Sequence, residues 1–197
     1  MVSNMITKMT SYLVINGIIE DEEREIYSYG LHQGLLIIIN IMTTLFIGFL
    51  FKEVWEIIVF MIAYIPLRTY GGGYHAKTEL RCYFLSVSLI IASLLLIKFI
   101  PITKISLLTL SSISGVVVYI FAPVEDKNKI LNEMENKIYK RKTRIILSVE
   151  ILVALLLYIL GFEIFSLIIS VAIFMVSLMI IAGRIKNTKK IENTLEC

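Results

Sequence analysis

Cysteine and histidine are scarce in this 197-residue chain, which holds two of each. The two cysteines, Cys82 and Cys197, leave room for one disulfide at most. A small secreted scaffold stapled by several bridges is therefore excluded. His32, His75 and Cys82 lack the ligand spacing of a zinc site, so no metal is expected. There is no Walker loop, no dinucleotide fingerprint and no HExxH, and neither a cofactor nor a nucleic-acid partner is called for. The first 33 residues lack a continuous apolar core of about 7–15 residues, so no cleavable signal peptide is expected and the first span inserts as part of the mature protein.

What the chain has in abundance is apolar residues. They make up 57% of it, and the mean hydropathy is +0.83. Soluble domains run at roughly 45–50% apolar, so the composition predicts an integral membrane protein of all-α class. Spanning helices need about 20 mostly apolar residues. Six stretches approach that length: Gly34 to Phe51, Val54 to Leu67, Tyr83 to Ile100, Ile105 to Ala122, Ile145 to Phe162, and Ile164 to Ala182. The second is short and carries Trp55, Glu56 and Pro66, which leaves a re-entrant or tilted element open. The last two are separated only by Glu163, which predicts a tight helical hairpin or one broken element.

Lysine and arginine set the orientation, because cytoplasmic flanks are enriched in them. With six spans, 16 of the 19 basic residues fall on the side that holds both termini. Only Lys52, Lys98 and Lys104 fall on the other. Both ends and the segment around His75 and Cys82 are thus assigned to the cytoplasm. On that reducing side Cys82 and Cys197 are not expected to pair, and Cys197 lacks the three following residues of a prenylation box.

The expected organisation is a single membrane-embedded domain: an amphipathic cytoplasmic region over 1–33, a bundle over 34–182 and a cytoplasmic tail over 183–197. In the first region Met5, Ile6, Met9, Tyr12 and Leu13 recur at helical spacing. The acidic run Glu20 to Glu25 reads as a solvated loop or helix start. In the basic loop 123–144, Ile130, Leu131, Met134 and Ile138 form one apolar stripe among Lys and Glu, which predicts an in-plane helix anchored on anionic lipid, or else a docking surface for a charged peptide.

The segment 68–86 is where chemistry concentrates. It reads Arg68-Thr69-Tyr70-Gly71-Gly72-Gly73-Tyr74-His75-Ala76, with Cys82 following. A thiol becomes a nucleophile when a neighbouring base or a helix N-terminus favours its thiolate, and an imidazole can take that proton and return one to a leaving amine. On one straight helix, residues seven apart lie roughly 10.5 Å apart along the axis, at about 1.5 Å per residue. A hydrogen bond cannot span that distance, so the chain must leave the helix between His75 and Cys82. The glycines supply the freedom, and their amides are candidates for an oxyanion hole. Each residue also has a plain reading: cysteine as a small apolar filler, histidine as an interfacial polar group, three glycines as a flexible turn. Glu56 and Glu150 within spans leave a transporter as the alternative.

Arg68-x-x-x-Gly72-Gly73-Tyr74-His75-Ala76, five residues, then Cys82 resembles the signature of the accessory gene regulator B (AgrB) family, membrane cysteine endopeptidases of bacterial peptide quorum sensing. Tyr29-Gly30-Leu31, the Cys-x-x-x-Ser of Cys82 and Ser86, and Ala122-Pro123 ahead of the lysine-rich loop extend the resemblance over essentially the whole chain. The chain departs from the pattern at His32, where an acidic or amide residue is commoner, and in the missing prolines of the loop. The resemblance implies Cys82 as nucleophile and His75 as base, with Arg68, Gly72, Gly73 and Ser86 in support. It implies a homodimer in membrane lipid acting on an AgrD-like precursor peptide, whose acidic tail is released and whose remainder is cyclised through a thioester.

Overall fold

A computed structural model describes residues 2–76, 78–125 and 131–195, with side chains described over 5–76, 78–125 and 131–188. Lys77, Lys127, Ile130 and Cys197 therefore lie outside the described residues. The element order is α1 (Val2–Ile15), a 3-10 turn (Asp21–Glu23), α2 (Arg24–Phe51), α3 (Val54–Gly71), α4 (Glu79–Phe99), α5 (Lys104–Phe121), α6 (Glu133–Ile159) and α7 (Glu163–Leu195). No strand occurs among the described residues; one isolated parallel bridge joins Gly72 and Val124. This is an all-α, multi-pass membrane protein. Among the described residues five helices, α2, α3, α4, α5 and α7, are long and apolar enough to cross a bilayer. The remaining expected span is the second half of α6, where Lys142, Arg144 and Glu150 keep the helix's last 18 residues too charged to qualify. α3, whose sequence left a re-entrant form open, is one helix of 18 residues with Pro66 inside it.

The chain divides into two compact units, Met1–Phe46 and Ile47–Cys197. In the first, α1 buries Ile6 and Thr10, one turn apart on the same face. Thr10 hides its hydroxyl by donating to the Ile6 carbonyl at 3.1 Å, which satisfies the buried polar group locally. Met5, Met9 and Tyr12 of the expected stripe stay exposed. The acidic run starts a helix, as one of its two readings had it. Glu20 and Glu23 form a reciprocal capping box around the 3-10 turn, a favourable place for negative charge. Arg24 binds Ser11 at 2.6 Å and lies 3.8 Å from Asp21.

The second unit is organised around α7, which packs against α3, α4, α5 and α6. Of its most apolar 18-residue window 67% is buried, against 28% at most in the other candidate spans. Leu167, Ile168, Val171, Ala172, Ile173, Val176 and Ile180 are closed off from solvent. A helix apolar on all sides has no wet face to present and takes the centre. Small residues let neighbours approach it: on α5, Ser111, Ser114 and Gly115 are the interface side, and Ser111 meets Ser170 of α7 at 2.8 Å. Such bonds between helices in membranes contribute about 0.6 kcal/mol on average. The outer helices expose Phe49, Ile62, Phe84, Ile113 and Leu152.

The basic loop differs from its expected form. Asn132 caps α6 through a capping box with Glu135, at 2.7 Å and 2.9 Å, and the helix then runs unbroken to Ile159. No glycine or proline interrupts 133–159, so the basic half cannot turn into a separate in-plane helix. Met134 and Ile138 are exposed there. The tail likewise continues α7 through Leu195. Between α6 and α7, Gly161 at φ 84 ends the first helix, with Gly161 N–H to Tyr158 O at 3.2 Å and Phe162 N–H to Leu157 O at 2.8 Å. That is a Schellman closure, and it makes the tight hairpin, one of the two forms the sequence left open.

Candidate active site

The chain leaves the helix between His75 and Cys82, as their spacing requires. α3 ends at Gly71, residues 72–76 are irregular, and α4 starts after the N-cap Thr78. Cys82 sits in the first turn of α4, its N–H bonded to the Thr78 carbonyl at 3.0 Å, and it is half-buried. His75 is exposed in the connection. The stop is abrupt because Gly72 and Gly73 have φ of 67 and 119, values that side chains strongly resist.

This connection is held from several directions. Gly73 N–H donates to Val124 O at 3.1 Å, Val124 N–H to Gly71 O at 3.0 Å, and Tyr74 N–H to Met179 O at 2.8 Å. The Arg68 guanidinium donates to the carbonyls of Gly72 and Tyr74. Lys186 of α7 donates to the His75 carbonyl at 2.7 Å and lies 5.1 Å from the Tyr74 ring centre. From α6, Lys142 reaches the Tyr70 hydroxyl at 3.4 Å, and Tyr139 meets the Tyr70 ring edge-on at 5.4 Å.

The packing is close enough that glycine is required sterically as well. A Cβ on Gly72 would run into the Val124 carbonyl oxygen; one on Gly73 would come within 2.7 Å of Met179 O; one on Gly183 of α7 would come within 2.7 Å of the Gly73 carbonyl carbon. The triple glycine is thus a tight crossing rather than a flexible turn. Its amides are also engaged, Gly72 N–H with Arg68 O and Gly73 N–H with Val124 O, so they do not form an oxyanion hole in this conformation.

The structure engages two of the supporting residues locally. Arg68 grips its own connection through the Gly72 and Tyr74 carbonyls. Ser86 donates to the Cys82 carbonyl at 3.0 Å, a back-bond along its own helix that leaves the imidazole untouched. His32 belongs to the first unit. Val124, Met179, Gly183 and Lys186 lie 51 to 111 positions from the residues they hold, and no spacing rule points to them. Gly183, a helix breaker inside a long helical pattern, is the single local signal.

The model of the accessory gene regulator B (AgrB) family matches residues 6–180. The chain belongs to the AgrB family. No curated protein and no solved structure matches it. AgrB membership assigns the chain a role in processing autoinducer peptides in the agr system, with an AgrD-type precursor as substrate.

Proposed function

We propose that the chain is a cysteine endopeptidase that removes the C-terminal tail of an AgrD-like precursor and helps close the remainder into a thiolactone or lactone ring. The observation that carries this is the placement of His75 in a clamped connection directly ahead of the helix turn that bears Cys82. The positive end of a helix dipole favours negative charge at that turn.

His75 takes the thiol proton, and the Cys82 sulfur bonds to the scissile carbonyl carbon. When the tetrahedral adduct collapses, the C–N bond breaks and the imidazolium protonates the departing amine. The tail leaves, and the peptide is held as a thioester on Cys82. A cysteine or serine within the peptide then attacks that carbonyl, giving its proton to His75, and the C–S bond to Cys82 breaks so that the thiolate departs and is reprotonated by the imidazolium. With a cysteine as attacker the second step exchanges one thioester for another of similar energy, so it depends on excluding water and holding the attacking group near, an effect that reaches about 7–11 kcal/mol. A site where a helix leaves the membrane, meeting an amphipathic substrate in the interface, supplies both conditions.

Basic side chains around the connection support an acidic tail as the leaving group. Lys137, Lys140, Arg141 and Arg144 line an open groove along α6 together with Ile145, Ser148 and Val149, and Lys142 and Lys186 stand at the connection itself. Arg68 is engaged in holding the connection, so tail recognition belongs to these lysines and arginines. The working form we infer is a homodimer in the cytoplasmic membrane, its active site facing the cytoplasm.

The test is co-expression of the cognate precursor with wild type, Cys82→Ala, Cys82→Ser and His75→Ala, reading the released tail by mass spectrometry. Loss in all three variants is expected, and a trapped thioester in wild type. Cleavage persisting in Cys82→Ala would sink the protease reading and leave a peptide transporter, for which the buried Glu150, with one carboxylate oxygen unpartnered, is the supporting feature.

A further inference from the structure

Cations gathered at the edge of an apolar surface call for an anion beside them. On α6, Lys137, Lys140, Arg141 and Arg144 line one open groove, and spacings of three, four and seven put them on one helix face. Among the described residues none of the four has a carboxylate within ion-pair distance. Glu135 of the same helix is taken up in the capping box with Asn132. Arg144 is the most confined of the four. Its guanidinium lies 4.1 Å from the centre of the Tyr119 ring on α5, and its Nε is buried with no hydrogen-bond partner. The ring fixes the cation without giving its N–H groups an acceptor in the ring plane.

The same face runs on into an apolar stripe. Ile145, Leu152 and Ile159 follow at 52, 65 and 70% exposure, while Thr143, Leu147, Glu150 and Ala154 pack inward on the opposite side. From Arg144 to Ile159 the helix rises about 22 Å, more than the roughly 15 Å of hydrocarbon in one leaflet. A ligand that matches this face carries negative charge at one end and a long apolar chain in line with it. An acidic peptide matches only the charged part.

We propose that this face of α6 binds one anionic phospholipid, its phosphate held by Lys137, Lys140, Arg141 and Arg144 and an acyl chain lying along Ile145, Leu152 and Ile159. Arg144, set against Tyr119, is the fixed donor where charge meets hydrocarbon, and the other three close on the headgroup from the free end of the helix. Headgroup and acidic tail thereby become competitors for the same four cations, whatever chemistry Cys82 performs.

The experiment gives full-length protein in detergent micelles an equimolar mixture of dioleoyl phosphatidylglycerol and dioleoyl phosphatidylcholine, and counts bound lipid by native mass spectrometry. The two lipids share their acyl chains and differ in headgroup charge. Wild type should retain one phosphatidylglycerol, preferred at least about tenfold. One basic side chain near an anionic headgroup contributes a factor of about five, so Arg141→Gln should lower the preference about fivefold. Lys142→Gln removes the same charge from the next residue, which reaches Tyr70 on another face, and should change it less than about twofold. Tyr119→Leu removes no charge, yet releasing Arg144 should lower the preference about threefold. Equal losses in Arg141→Gln and Lys142→Gln overturn the proposal, because general positive charge would then suffice. Equal retention of both lipids by wild type overturns it as well. Tail release is read in the same variants to separate this site from tail recognition. Cleavage lost in Arg141→Gln with the lipid preference intact overturns the lipid site and leaves the groove to the acidic tail; preference lost with cleavage intact supports the lipid site and removes Arg141 from tail recognition.

Discussion

Two helix connections in the second unit begin at a glycine of positive φ, the one after α3 at Gly72 and the one after α6 at Gly161. The α6–α7 turn is self-contained. Its two closing bonds run to carbonyls three and five residues back, and a Cβ on Gly161 would meet nothing within 4 Å. The α3–α4 connection depends on other elements: Val124, Met179 and Lys186 supply its partners, and a Cβ on Gly72 or Gly73 would strike backbone. The same residue type thus serves a local turn in one place and a tertiary crossing in the other. The connection that carries the candidate chemistry is the one that the rest of the fold holds in place.

The sharpest way to break this contrast is to add one methyl group to each. Gly73→Ala combines backbone strain of about 1–3 kcal/mol with a clash against Met179 O, and tail release should become undetectable while the melting temperature in detergent drops. Gly161→Ala meets only the left-handed backbone penalty, about 1–2 kcal/mol, and should retain cleavage. Similar losses in both variants would erase the distinction. Gly183→Ala tests the crossing from the opposite side. Its methyl presses on Gly73 without straining α7, so cleavage should fall at least about tenfold with a smaller change in melting, in keeping with overpacking costs of about 1–3 kcal/mol.

Lys186→Met removes the bond to the His75 carbonyl and little packing. Tail release should fall several-fold at unchanged thermal stability, since an exposed charged contact contributes about 1 kcal/mol or less; an unaffected rate would show that α7 does not position His75. The smallest effect belongs to a third connection, between α2 and α3. There burial, with the neighbouring Glu56 carboxylate, holds the Glu53 carboxyl above its ordinary range, against the pull of Lys98. A carboxyl raised on folding stabilises the protonated form, so this contribution is present at low pH and is lost as pH rises through the folded value. Glu53→Gln should flatten that part of a melting-versus-pH curve, and an unchanged slope would remove Glu53 as its source.

Much of this was legible in the chain. Apolar runs marked out α2 to α5 and α7 to within a few residues at most ends, and the seven-residue spacing of His75 and Cys82 required the helix break that is present. The Ala122-Pro123 step marked the end of α5, and Glu163 alone between two apolar runs announced a hairpin or a broken element, of which the first is present. The in-plane helix after Pro123 was misread. Amphipathic spacing gives the face of a helix and not where it stops, and with no breaker between Arg144 and Ile145 the basic stretch joins the apolar one. Arg68 was legible as important and illegible in role, because its partners are carbonyls rather than side chains.

The chain by itself determined its class, its helices and the break between base and thiol, because backbone groups in lipid must find partners within their own helix and contiguous residues therefore carry the information. The tertiary structure decided the rest: that α7 occupies the centre, that Val124, Met179 and Lys186 hold the connection, and that the glycine amides are engaged. Each of those joins residues distant in sequence through backbone carbonyls or a ring face, groups that leave no periodicity and no motif behind.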